Sequence, residues 1–183
     1  MMRIFIGIDI PHSIKEQIYS LRGGLENAHW HPMEKLHLTF SFIGDVDTNQ
    51  LNALIRELRT IRFPAFNMAF KEVGYFATGT IPHHLWTGVD NPKVLEELAD
   101  KIDNAVRRAG LKNPNQFKFM PHVSLARLSG TTMDEVFAYI RKNNLFHSDS
   151  FLLDHFCLFE SIARENGEGK YYQIIEEFPL SLV

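Results

Sequence analysis

"KLHLTFSFIG" (residues 35–44) is an apolar run interrupted by His37 and Thr39. Side chains two apart on a strand point the same way. The strand therefore shows an imidazole and a hydroxyl on one face, with Leu38 and Phe40 on the other. Ser41 shares the His37 face by the same alternation. A core histidine hydrogen-bonded to a neighbouring hydroxyl would give the same pattern, since buried polar groups need partners.

The second half of the chain contains "PHVSLARL" (residues 121–128), where His122 and Ser124 repeat the spacing of His37 and Thr39. Both stretches read His–apolar–hydroxyl–apolar, both look like strands, and both precede a helical segment. With nine histidines in the chain, a chance His-x-hydroxyl is expected, so the weight falls on the shared context.

Outward from these two strands the pattern is regular. "RIFIGIDI" alternates and is rich in isoleucine, a strand signature. "SIKEQIYSLRGGL", "QLNALIRELRTI", "PKVLEELADKIDNAVRRAG" and "TTMDEVFAYIRKNN" carry apolar residues at helical spacing. Asp47, Thr48 and Asn49 are cap candidates for the second, Pro92 and Gly110 bracket the third, and Thr132 with Glu135 has capping-box spacing in the fourth. "AFNMAFKEVGYF" and "HLWTGVD" read as strands around a turn, and "FLLDHFCLFES" and "KYYQIIEEFPL" as a closing pair. "GLKNPNQFKFM" is a loop. The order β-α-β-α-β-β, then α-β-α-β-β, is a weak repeat with no low-complexity linker. Residues 1–183 are expected to form one α/β domain of two similar lobes, with approximate repeat halves 1–90 and 91–183.

The chain has 183 residues, 45% hydrophobic and 22% charged, with 15 phenylalanines. A net charge of −3 argues against a broad grip on duplex nucleic acid, while leaving room for a local phosphate site. The single cysteine, Cys157, excludes an intrachain disulfide and a cysteine-based zinc site; in "FCLF" it reads as a small buried hydrophobe. The N-terminal run reads as a strand, not a signal peptide, and no stretch is long enough to span a bilayer. A cytoplasmic, monomeric protein is expected.

"HLTFSFIG" and "PHVSLARL", in this β-α order, resemble the two HxTx motifs of the 2H phosphoesterase superfamily. The opening "RIFIGIDIP", "LFES" near the end and the terminal "PL" resemble its branch of RNA 2′,3′-cyclic phosphodiesterases, historically called 2′-5′ RNA ligases. Ser124 departs from the usual threonine; it keeps the hydroxyl but loses the methyl that stiffens χ1. The resemblance implies a bilobal fold, with antiparallel-rich sheets flanked by helices around a central cleft. It implies RNA ends bearing a 2′,3′-cyclic phosphate as partners, departure of O3′ to leave a 2′-phosphate, and 2′-5′ joining when an RNA 5′-hydroxyl takes part. It implies no ATP, no metal and no other cofactor.

On this resemblance His37 and His122 are the catalytic pair, because one histidine can be neutral while its partner is protonated near neutral pH. His37 is assigned as acid and His122 as base, although the near-symmetry of the motifs does not decide between them. Thr39 and Ser124 would hydrogen-bond the non-bridging phosphate oxygens. Arg127 matches a phosphate-binding residue, but simple alternation sets it on the face opposite His122, so it reaches the site only if the strand ends or twists. Phe42 and Phe119 are candidates for stacking a base, Phe42 the better.

"HWH" (His29, His31) and "HH" (His83, His84) lack the acidic or cysteine residues that would complete a metal site and read as exposed loop histidines. "NGEGK" (166–170) lacks a phosphate loop's upstream glycine and following hydroxyl and reads as a hairpin turn. Two other classes fit the cleft: a non-catalytic RNA-end or nucleotide-binding module, and a phosphodiesterase for a small cyclic nucleotide or ADP-ribose derivative.

Overall fold

The alternating isoleucines of the N-terminal stretch form β1 (Met2–Asp9), whose Ile4, Ile6 and Ile8 are buried. The structure, a computed structural model, describes residues 1–112 and 118–181; residues 113–117 of the expected "GLKNPNQFKFM" loop lie outside the described residues. The helical spacings give α1 (His12–Tyr19), α2 (Thr48–Leu58), α3 (Pro92–Arg108) and α4 (Met133–Asn143). Asp47 accepts from the Gln50 N–H while the Gln50 side chain accepts from the Asp47 N–H, a capping box that Thr132 and Glu135 repeat at α4. Pro92 opens α3, and Gly110, at φ +77°, follows its end. Helix α1 stops short of the predicted "SLRGGL", where Gly23 and Gly24 take left-handed φ values.

Two predicted strands each break in two. β4 (Phe66–Met68) and β5 (Phe70–Thr78) separate at Ala69; β8 (Phe151–Leu153) and β9 (His155–Ala163) separate at Asp154. The reason is shared: β4 and β8 leave the main sheet and pair with each other as a two-stranded ribbon.

The remaining strands are β2 (Ala28–Trp30), β3 (His37–Val46), β6 (Ile81–Val89), β7 (Val123–Leu128) and β10 (Lys170–Pro179). The main sheet runs β10-β9-β1-β3-β7-β6-β5, with β2 also on β7, and every pairing is antiparallel. The strand path interleaves the chain: β9 and β10 complete the half built on β1 and β3, while β5 and β6 complete the half built on β7. Residues 166–169 of the "NGEGK" segment lie in the β9–β10 connection and Lys170 opens β10, as a hairpin turn requires.

The two halves join at a single residue pair, Leu38 with Val123. Further along the same edge of β7, β2 takes over through Ala28–Leu128, His29–Arg127 and Trp30–Ala126. Leu38 and Val123 are wholly buried, on the face where α3 packs against β3 and α4 against β5 and β6. The core is therefore continuous beneath the seam. Among the described residues no helix is long and apolar enough to cross a membrane.

Candidate active site

The joining pair is the middle residue of each His-x-hydroxyl motif. An antiparallel register centred on Leu38 and Val123 sets His37 across from Ser124 and Thr39 across from His122. Alternation turns all four side chains away from the helix-covered face. The two histidines are then diagonal neighbours, a relation that spans roughly 7–8 Å in a paired ladder. All four residues line one cavity of about 820 Å³, within the range of small-molecule sites.

Both rings are fixed the same way. His37 Nδ1 lies 2.6 Å from the Lys35 carbonyl oxygen, and His122 Nδ1 lies 2.7 Å from that of Met120. A carbonyl only accepts, so each Nδ1 carries its proton and donates. The proton that each ring can gain or lose in chemistry is thus at Nε2. Aromatic rings hold the imidazoles from the side. Phe5 and Tyr172 lie 4.9 Å from His37, and Phe76 stands edge-on to His122 at 5.1 Å, with Trp86 at 6.3 Å.

Burial pushes the His37 imidazole down to about 4, against the raising effect of the Lys35 carbonyl; His31, Lys15 and His122 lower it further. Burial also lowers His122, opposed by the Met120 carbonyl. Both rings are therefore neutral near pH 7 until an anion arrives, and an anion between them favours protonation.

A β-bulge follows each motif at the same position. Between Ile6 and Gly7 the β1–β3 register jumps from Ser41 to Thr39, leaving Phe40 unmatched; between Leu85 and Trp86 the β6–β7 register jumps from Ala126 to Ser124, leaving Leu125 unmatched. One extra residue resets the alternation. Ser41 consequently turns inward and is 0% exposed, whereas Phe42 emerges at 54% and lines the cavity. The alternation that set Ser41 beside His37 is overturned, and the bulge supplies the reason Phe42 reaches the cavity.

The bulge at Leu125 likewise leaves Ala126 buried and Arg127 exposed. Arg127 lies across from His29 on one side and His84 on the other, but it does not line the cavity around His37 and His122. Phe119 lines the cavity and packs 5.7 Å from Phe40. Cys157 is wholly buried, and burial raises its thiol to about 12, consistent with the small-hydrophobe reading.

The histidine pairs outside the motifs require correction. His29 is exposed but lies in β2, while His31 is half-buried and lines the cavity. His83 and His84 are half-buried in β6, and His83 lines the cavity. They are not all loop histidines: His29 is in β2 and His83 and His84 are in β6, strands that flank β7, while His31 directly follows β2; of the four, His31 and His83 line the cavity. Doubled histidine in an otherwise apolar strand was the available signal. Lys35, Phe76 and Tyr172 also line the cavity; Tyr172 arrives from the distant β10, which local spacing does not reveal. Among the described residues no group of three or more His, Cys, Asp or Glu side chains is placed to hold a metal ion.

Two His-x-hydroxyl motifs that meet at one antiparallel residue pair and share a cavity, with two carbonyl-anchored imidazoles, are the arrangement that the resemblance to the 2H phosphoesterases implies. The family model for LigT-like phosphoesterases matches residues 8–86, which include His37 and Thr39. An RNA 2′,3′-cyclic phosphodiesterase of Thermotoga maritima is 32% identical over 69% of this chain and 70% of its own length. One of Methanocaldococcus jannaschii is 26% identical over 97% of this chain and 100% of its own. A crystal structure of Escherichia coli LigT with 3′-AMP superposes with a TM-score of 0.80 at 26% identity, covering 98% of each chain. The chain belongs to the LigT-like phosphoesterase family, within the 2H phosphoesterases.

Proposed function

We propose that the chain hydrolyses 2′,3′-cyclic phosphate ends of RNA to 2′-phosphate ends, with His37 and His122 as the proton-transfer pair. One observation carries the mechanism: two imidazoles, each with Nδ1 tied to a carbonyl, share one cavity diagonally across a single β pair. Several relatives bear the name RNA 2′,3′-cyclic phosphodiesterase, which supports this substrate.

In the proposed reaction, water attacks the phosphorus of the cyclic ester. His122 Nε2 takes the water's proton. The P–O3′ bond breaks, and His37 Nε2 gives its proton to O3′. The product carries a 2′-phosphate and a free 3′-hydroxyl, and the pair has exchanged one proton with its surroundings to reset. Thr39 and Ser124 donate hydrogen bonds to the non-bridging oxygens as charge builds there. His37 can serve as the acid only when the phosphate charge between the rings offsets the burial that lowers it and loads its Nε2 with a proton. With an RNA 5′-hydroxyl in place of water, the same transfers give a 2′-5′ linkage without ATP.

Phe42 offers a stacking face to the terminal base, worth roughly 1–3 kcal/mol. Arg127 adds positive potential from beside the cavity. Residues 1–183 act in this proposal as one monomeric unit, because each motif sits in a sheet half completed from the other part of the chain. No metal takes part, so EDTA leaves the rate unchanged.

The test is turnover of an oligonucleotide ending in a 2′,3′-cyclic phosphate. His37→Ala and His122→Ala should each lower kcat by about a thousandfold or more, with circular dichroism unchanged; near-wild-type turnover by either folded variant overturns the mechanism. A p-nitrophenyl phosphodiester separates the roles, since its leaving group needs no proton. His37→Ala should recover on it and His122→Ala should not.

A further inference from the structure

Six basic side chains line the cavity (His31, Lys35, His37, His83, Lys118 and His122), and among the described residues no carboxylate does. This is a one-signed lining in a chain of net charge −3. Like charges crowded in a cleft oppose each other's protonation. His31 shows it: burial lowers it first, and then His84, Lys35 and Arg127 lower it further. One phosphate between His37 and His122 uses the two motifs and leaves the other basic groups unmatched.

Those groups are held by the fold. The His31 N–H donates to the carbonyl of Leu125 at 2.9 Å, the bulged residue of β7, so the bulge that follows the second motif also seats His31. On β6 the β5–β6 register jumps from His84 to Pro82, leaving His83 unmatched. That bulge lets neighbouring residues turn their rings together, and His83 Nδ1 lies 2.8 Å from His84 Nδ1. One of the two nitrogens donates and the other accepts. The accepting ring, when neutral, carries its own proton at Nε2. The pair therefore always presents at least one outward N–H donor. Lys35 adds a full charge from the segment just before β3, at the His37 end of the cavity.

We propose that His31, Lys35 and His83 form a second phosphate subsite, which takes the phosphate on the 5′ oxygen of the nucleoside whose cyclic phosphate lies between His37 and His122. The inference rests on the hydrolytic function proposed above and names its substrate class more narrowly. In RNA the phosphate nearest to a cyclic end is the one on the 5′ oxygen of the same ribose. A cavity with a second basic, hydrogen-bond-donating cluster beside the reacting phosphate matches that chemistry. The ligand is either the phosphodiester to an upstream nucleotide or a free 5′-monophosphate.

Three substrates test this: adenosine 2′,3′-cyclic phosphate, its 5′-phosphorylated form, and the dinucleotide ApA with a 2′,3′-cyclic end. The readout is the ratio of kcat/KM with and without the 5′ phosphate, taken within each protein, so that a general loss of activity cancels. The wild-type ratio should be about tenfold or more, the scale of one charge-assisted hydrogen bond. It should fall toward one in His31→Gln, Lys35→Met and His83→Gln. Lys35→Met keeps the backbone carbonyl that anchors His37. Equal preference for both phosphorylated substrates, or preference for the 5′-monophosphate, upholds the subsite and identifies which source it accepts. Preference for the dinucleotide alone, undiminished in the three variants, overturns it in favour of contacts to the upstream nucleoside. A wild-type ratio near one, with the unphosphorylated substrate turned over, overturns the subsite and leaves the hydrolytic function standing. No turnover of any of the three overturns the function beneath it.

Discussion

Ser124 and Thr39 occupy matching places, yet only one has a methyl to hold its rotamer. Removing one donor to a developing oxyanion costs roughly 10²–10³-fold in rate. Thr39→Ala and Ser124→Ala should each lower kcat on that scale, with KM nearly unchanged, whereas Ser124→Thr should stay within a few-fold of wild type. His37 makes a prediction about stability. Its imidazole is lowered from 6.5 to about 4 by burial. Between those values the unfolded chain binds a proton that the folded site refuses, so stability falls as pH drops through this window. Above the window the effect is absent; below it the loss levels off at up to roughly 3 kcal/mol. Denaturant unfolding of wild type and His37→Asn at pH 7 and pH 4.5 checks this. The wild type should lose more stability between the two, because the variant lacks the titrating ring.

At the scale of elements, the bulges decide which side chains meet. They were not legible in "KLHLTFSFIG" or "PHVSLARL", since a bulge is one unpaired residue and leaves no composition of its own. Period-two alternation held from His37 to Thr39 and from His122 to Ser124, and failed one residue later in both. That failure explains Ser41, Phe42 and Arg127 together. The helices were legible because their apolar spacing and caps are local, as Asp47–Gln50 and Thr132–Glu135 demonstrate. The β4–β8 ribbon was not, because pairing between distant short strands has no local trace. Gly7 belongs to this scale as well. It pairs with Thr39 beside the bulge, and a Cβ there would lie 2.4 Å from the Leu38 carbonyl oxygen. Gly7→Ala should push β3 away from β1, costing about 1–3 kcal/mol and lowering kcat through the shifted motif. Thermal melts and steady-state kinetics on the same samples would reveal both.

At the scale of the whole molecule, the repeat seen in the sequence and the halves of the sheet divide the chain differently. Each motif is in its own part of the sequence, but each sheet half borrows strands from the other part. A chain cut between residues 90 and 91 should therefore give two fragments, neither folded alone. Co-expression should restore both the far-ultraviolet spectrum and the activity, while mixing separately purified fragments should restore less. A folded, stable 91–183 fragment would contradict this. That two histidine strands face one cavity was legible from their repeated spacing. That they touch through one residue pair, with His31, His83 and Tyr172 around them, depended on sheet order and lay beyond local pattern.

The interleaving also sets a timetable for synthesis. Ile6 waits for Leu158 as its neighbour on one side of β1. At roughly 5–20 residues per second on a ribosome, β1, with its buried Ile4, Ile6 and Ile8, keeps one hydrogen-bonding edge unpaired for on the order of ten seconds. Unpaired edges invite strand addition from other chains. The interval before β9 emerges is thus the period in which this protein depends most on being shielded, and slowing translation over residues 91–150 would lengthen it.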